Sequence, residues 1–287
     1  MFLIIISIFI PLILSIILAF YISKSEKKNF LITIGLFLSY VIAHLSIYKN
    51  IPLSPVQSTD YIPIALFISL LFSFIFEYKK LDNFPKLIIK VLNYCITIGI
   101  VSVPFIKFTW QDNQKILFPT IFIFLTLLFD YLTNKKQENS KNFDNFLFIF
   151  LSSLLGSIVA VFASIATFSQ ILGAISSYIF PLLLLFLLKE KDINIDSINL
   201  IFNSFYSIIL INLYLLSPNE PPFYTMIIIT LSPLTFILVN KLFSNSKNLT
   251  KIFIKSLLTV ILFLTSAILI DNPFSSVQNE ETYNYDY

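Results

Sequence analysis

Apolar residues in this chain do not alternate with polar ones, and they do not recur at amphipathic spacing. They run in blocks of about twenty, separated by short polar breaks. A bilayer core of about 30 Å needs roughly 20 apolar residues in a helix, with a usable range of about 17–25. Ten stretches meet that length: 2–22, 30–48, 62–78, 87–106, 116–133, 146–166, 170–188, 198–216, 223–243 and 252–270. Lipid cannot satisfy backbone polar groups, so spans this apolar must be helices. A β-barrel would show short alternating segments, and a run such as F-L-I-I-I-S-I-F-I shows none. The pattern predicts an all-α, polytopic helical membrane bundle of about ten spans over 1–271. An acidic, Tyr-rich tail, 272–287, is expected to be disordered outside the cytoplasm.

Two boundaries need argument. The first span has no basic segment before it, and Lys24, Lys27 and Lys28 follow it, the reverse of a cleaved signal peptide. It reads as a retained helix. The stretch 146–188 is nearly continuous and uncharged. As one helix it would be about 64 Å long at 1.5 Å per residue, too long to cross once, so a turn is expected near Ala166–Ser169. No fixed-period repeat is visible. Five spans on each side of the 134–145 loop would set two halves in opposite topology.

Lysine orients the bundle. All 19 basic residues are Lys, and 15 of them sort to the loops after odd-numbered spans, against three after even-numbered ones. Cytoplasmic loops attract Lys and Arg. The Lys-rich loops are therefore expected inside and both termini outside, in a bacterial cytoplasmic (inner) membrane. An Asn-, Ile- and Phe-rich composition without Arg fits an AT-rich genome.

Composition then excludes chemistry. The chain is 57% hydrophobic and 12% charged, with mean hydropathy +0.86, about half the charge density of a soluble domain. One Cys (Cys95) and one His (His44) exclude multi-thiolate and His-pair metal sites. The four glycines form no nucleotide loop. The absence of Arg removes the bidentate clamp for phosphate or carboxylate, and His44 as sole imidazole base supports no Ser/His/Asp set. No cofactor is implied, no catalytic residue is assigned, and the small, dispersed net charge of +3 is no nucleic-acid footprint.

The remaining candidates are polar groups inside apolar spans. Span six carries small residues at helical spacing: Ser153, Gly156, Ser157, Ala160, Ala163, Ser164 and Thr167, answered by Gly173, Ala174 and Ser177 in span seven. Such stripes pack helices closely; with Asn93 and Thr97 of span four, their hydroxyls also outline a candidate polar pathway (Asn93, Thr97, Ser153, Ser157, Ser164, Thr167). Pro11, Pro181 and Pro233 lie within spans and kink helices. Lys90, Asp130 and His44 are the titratable groups nearest to hydrocarbon; Lys90 can snorkel, and an Asp130–Lys90 pair is one arrangement open to it. Asn93, Asn203 and Asn212 read as interhelical hydrogen-bonding amides. Asp60, Asp112 and Glu220 are candidates for an outer mouth, and solvated loop ends explain them equally. Trp110, Tyr61 and Tyr48 fit an aromatic belt.

Two functional classes fit. One is a small-solute permease or exporter using the bundle interior. The other is a non-catalytic structural subunit packed against a membrane protein partner. A membrane enzyme is a third, weaker reading. The orientation is testable on a single-cysteine protein in a Cys95→Ser background. A cysteine at residue 137 should resist an impermeant thiol reagent added from outside; its labelling would refute the inside assignment.

Overall fold

The computed structural model describes residues 2–22, 28–51, 54–78, 82–137, 142–188, 193, 195–218, 221–244 and 246–270. Among them are eleven helices and no strand: α1 (Phe2–Ile22), α2 (Lys28–Tyr48), α3 (Ser58–Tyr78), α4 (Asn83–Phe108), α5 (Gln114–Gln137), α6 (Asn142–Phe162), α7 (Ala166–Leu188), α8 (Asp196–Leu216), α9 (Phe223–Thr230), α10 (Pro233–Leu242) and α11 (Asn248–Ile270). Eight of them, α2 to α8 and α11, are long and apolar enough to cross a bilayer; α9 and α10 qualify together as a broken span, and α1 contributes a shorter apolar helix, Ile6–Ile22. The protein is a polytopic helical membrane bundle. Each predicted span coincides with a helix or, for the ninth, a broken pair. The predicted tail, Glu220 and the lysines at 24, 27, 79, 80, 141, 189 and 191 lie outside the described residues.

Two expectations need correction. The ninth span is not continuous: it bends by 43° between α9 and α10. Pro233 stands at the start of α10, where its missing N–H and fixed φ suit a helix start. The turn between spans six and seven comes earlier than Ala166–Ser169. Ser164 adopts φ 59°, and the N–H of Ile165 bonds back to Ala160 O at 2.9 Å. This is a left-handed helix cap with its six-to-one hydrogen bond. Thr167 consequently belongs to the first turn of α7 rather than to the α6 stripe. Pro11 and Pro181 sit inside unbroken helices.

Helix α8 is the axis of the bundle. It touches α2, α3, α4, α5, α6 and α9, and 89% of its membrane-spanning stretch is buried. Burial on all sides explains how it can carry Asn199, Asn203, Ser204, Ser207 and Asn212, which a lipid-facing helix could not. Aromatic rings fill the space around it. Tyr206 stacks on Phe129 and Phe202, both at 5.5 Å between centroids. Trp110, expected in the aromatic belt, is instead packed inward against Phe105 at 5.4 Å and Phe118 at 5.4 Å.

Helices α6 and α7 pack along one another more extensively than any other described pair, as the small-residue stripes require. Ser157 Oγ donates to Ser169 O at 2.9 Å across the hairpin. Gly156 faces α8 as well: a Cβ there would lie 3.2 Å from Tyr206 Cε2 and 3.3 Å from Leu172 Cδ1. A second close approach joins α2 to α7 at Gly35, where a Cβ would stand 2.6 Å from Tyr178 Cζ and 2.8 Å from Leu18 Cδ1. Tyr178 cannot retreat, because it is fully buried and its hydroxyl donates to Ile32 O at 3.0 Å.

Overpacking at such contacts typically costs about 1–3 kcal/mol. Gly35→Ala and Gly156→Leu should therefore lower the thermal unfolding midpoint of the detergent-solubilised protein. Val161→Leu, at a position 59% exposed on the same helix as Gly156, should leave it unchanged. Equal tolerance of all three would disprove the close packing.

Candidate functional site

On α4, Lys86, Lys90 and Tyr94 recur at four-residue intervals, which places them along one helical face. On α5, Asp130 and Asn134 are spaced in the same way, and α8 presents Asp196 and Asn203 seven residues apart. These three faces converge on the Asp130 carboxylate. Lys90 Nζ donates to Oδ2 at 2.8 Å, and Asn134 Nδ2 donates to the same oxygen at 2.7 Å. The Tyr94 hydroxyl donates to Oδ1 at 2.8 Å and Asn203 Nδ2 at 2.9 Å. Four donors from three helices thus surround a carboxylate whose side chain is 7% exposed.

The pair forms the floor of a cleft of about 840 Å³ between α4, α5 and α8, at the Lys-rich end of the bundle. Lys86 and Asp196 stand at its mouth, bonded at 2.8 Å and markedly more exposed than the pair below. Asn83, Leu87, Val91, Leu127 and Tyr131 complete much of the wall.

Polar contacts continue beyond the floor. Asn93 Nδ2 donates to Ser204 Oγ at 2.7 Å, and Ser69 Oγ donates to the same oxygen at 2.9 Å, linking α4, α8 and α3. Thr97 closes on its own helix, donating to Asn93 O at 2.8 Å. Towards the opposite end, Ser58 of α3 donates to Val101 O at 3.3 Å and makes a close hydrogen bond to Asn212 Oδ1. Asn93, Asn203 and Asn212 all bond between helices. The result is a ladder of polar rungs along the α3–α4–α8 contact.

The other residues singled out from sequence lie elsewhere. Ser153 donates to Ile149 O of its own helix at 2.8 Å, and Ser157 bonds across the hairpin. Ser164 is exposed at the turn and Thr167 is half-buried beside it. Ser204 faces Asn93 and Tyr206 faces Gly156, and two residues along a helix is about 200° of rotation. Helix α8 therefore stands between Asn93 and the α6 stripe. His44 is buried on α2, with Nδ1 3.1 Å from the Tyr40 hydroxyl, on a helix that contributes nothing to the Asp130 cluster. Asp60 accepts the N–H groups of Val56 at 3.1 Å and Gln57 at 3.0 Å, capping the entry to α3. Asp112 is fully solvated and pairs with Lys115 at 2.7 Å; this ammonium holds the carboxyl below the usual carboxylate range. Glu220 lies outside the described residues.

No known family model and no curated protein matches this chain.

Three participants carried little signal in the sequence: Tyr94, Asn134 and Ser204. Their spacing from Lys90, Asp130 and Asn203 was readable, but which helices meet was not. A third interhelical pair, Lys255–Asp144 at 2.7 Å between α11 and α6, also escaped, and Lys255 is 2% exposed with Phe236 of α10 beneath it at 5.5 Å.

Removing one partner of a buried pair leaves a charge without compensation, which costs about 3–5 kcal/mol; a half-exposed pair is worth about 0–1 kcal/mol. Lys90→Met should therefore lower the unfolding midpoint far more than Lys86→Met. Equal effects, measured by denaturation in the same detergent, would show that the deeper pair is not shielded from water.

Proposed function

We propose that this multi-pass membrane protein is a small-solute permease whose solute enters the α4–α5–α8 cleft and meets the Lys90–Asp130 pair. The observation that carries the reading is the pair itself. Charged side chains are costly within a membrane, and where they occur they mark solute or ion pathways. Here a carboxylate and an ammonium sit at the base of an open cleft, and the ladder through Asn93, Ser204 and Ser69 begins one turn beyond. The pathway drawn from sequence keeps Asn93 and Thr97. Ser153, Ser157, Ser164 and Thr167 serve the α6–α7 hairpin in this reading. Asp130, rather than His44, is the group placed on this route, since it lines the cleft and His44 lies on α2 against Tyr40. By the lysine distribution the cleft opens to the cytoplasm of a bacterial cell, across its inner membrane.

A second reading rests on the same cluster. Every donor around Asp130 comes from a neighbouring helix or turn, which is also how a non-catalytic subunit of a membrane assembly would fix its own helices.

One variant separates the two. Asp130→Asn keeps the shape and removes the charge. In proteoliposomes, the wild-type protein should move at least one member of a panel of small neutral, zwitterionic and cationic solutes faster than protein-free vesicles. The Asp130→Asn protein, monodisperse by gel filtration, should lose that flux. Absence of flux from the wild type across the panel, with the variant merely less stable, would leave the structural subunit as the better account.

A further inference from the structure

Beside the Asp130 cluster, on the side away from the ladder, polar groups stop finding one another. Asn203 gives Nδ2 to Asp130, but its Oδ1 has no hydrogen-bond partner. One turn back along α8, Asn199 has none on either amide atom. Tyr206 OH, on the same helix, has none. Facing them on α6, Asn145 Oδ1 and Ser152 Oγ are likewise unpartnered. None of the five side chains is more than 2% exposed. An unpaired polar atom in such surroundings costs about 1–3 kcal/mol, and six together demand a ligand.

Helix register brings them to one seam. Residues 145 and 152 are seven apart on α6, and residues 199 and 206 are seven apart on α8. Seven residues return a helix to within about 20° of the same direction. Gly156 continues the α6 face, and a Cβ there would lie 3.2 Å from Tyr206 OH, so the two faces look at each other. One span intervenes between α6 and α8, so they run in the same direction. Asn145 and Ser152 therefore run down the α6 face that Gly156 turns to Tyr206, and Asn199 lies two turns before Tyr206 on the answering face of α8. The rings of Phe129 and Phe202 stack on Tyr206 and screen the seam.

The chemistry of the lining selects the occupant. Amides and hydroxyls offer both donors and acceptors and no charge, and Lys90 already balances Asp130. A small neutral molecule that both donates and accepts satisfies them; an ion does not. We propose that the α6–α8 seam is an internal hydration site. A short file of ordered water, on the order of two or three molecules at about three hydrogen bonds each, is held by Asn145, Ser152, Asn199 and Tyr206. It connects through Asn203 to the Asp130 carboxylate. Hydration of this seam does not depend on solute transport.

Radiolytic hydroxyl-radical labelling reads bound water directly, because radicals formed from it oxidise the adjacent side chains. The full chain in nanodiscs, in water enriched in oxygen-18, should be oxidised at Tyr206 several-fold faster than at Tyr178. Tyr178 is equally buried, on α7, with its hydroxyl bonded to Ile32 O. Asn199→Leu should bring the Tyr206 rate down to that of Tyr178. Oxidation of wild-type Tyr206 no faster than Tyr178 would overturn the proposal without need of any variant. An unchanged fast rate in a folded Asn199→Leu protein would overturn the assignment of the water to this seam.

Discussion

A carboxylate removed from bulk water and held by four donors sets the arrangement of the middle of this bundle. Asp130 cannot face lipid, and it cannot be left without partners, since an isolated ion in a low-dielectric medium carries a large solvation penalty. Its position on α5 therefore dictates that α4 present Lys90 and Tyr94, and that α8 present Asn203, at matching depths. Apolar packing between Phe, Leu and Ile side chains would tolerate a helix sliding by one turn. A carboxylate with two acceptor oxygens, each contacted by two donors, does not tolerate it. The net energy of such a cluster is small next to that of the helices it joins. Its contribution is register.

The requirement spreads outward through α8. Once Asn203 must reach Asp130, the adjacent Ser204 is turned towards α4 and α3, where Asn93 and Ser69 meet it. Tyr206 is turned the other way, towards α6, where only a glycine leaves room for its ring edge. The small-residue stripe of α6 thus serves two neighbours. Its serines and alanines admit α7, and Gly156 admits Tyr206. In a membrane, where lipid is as apolar as the side chains, close approach and hydrogen bonding are what draw helices together. Both are used here, on different faces of the same helices.

Much of this was legible in the sequence and some was not, for physical reasons. The spans followed from hydropathy because the bilayer imposes one length on all of them. The break between α9 and α10 was hidden because the Ile227–Leu234 segment stays mostly apolar; a Ser–Pro step interrupts the hydrogen bonding without interrupting hydropathy. The cap at Ser164 was hidden because a left-handed residue there is Ser, whereas Gly is the usual signal. Lys90 and Asp130 were readable one by one as groups that need an explanation. Their pairing, and the arrival of Asn203 from a helix some seventy residues away, are tertiary facts. A stronger signal was present in α8: Asn199, Asn203, Ser204, Ser207 and Asn212 within one span allow it no lipid-facing side.

The ion pairs are also unevenly placed along the membrane normal. Lys86–Asp196, Lys90–Asp130 and Lys255–Asp144 all lie at the Lys-rich end, joining α4 to α8, α4 to α5 and α11 to α6. At the other end the described ion pair, Lys115–Asp112, is solvated, three residues apart in sequence, and joins no two helices; the contacts between elements there include hydroxyl bonds, such as Ser217 on Ala163 O at 2.8 Å, and stacked rings around Trp110. Paired charges resist sliding and separation steeply, because each step apart exposes a charge to a poor solvent. Stacked rings and single hydroxyl bonds yield more gradually. The two ends of the bundle therefore differ in stiffness, and the stiff end is the one that holds the cleft. Ion pairs in the wall of a cleft oppose its deformation, and in the proposed permease a solute would therefore meet a site that needs little reorganisation of the protein to bind it.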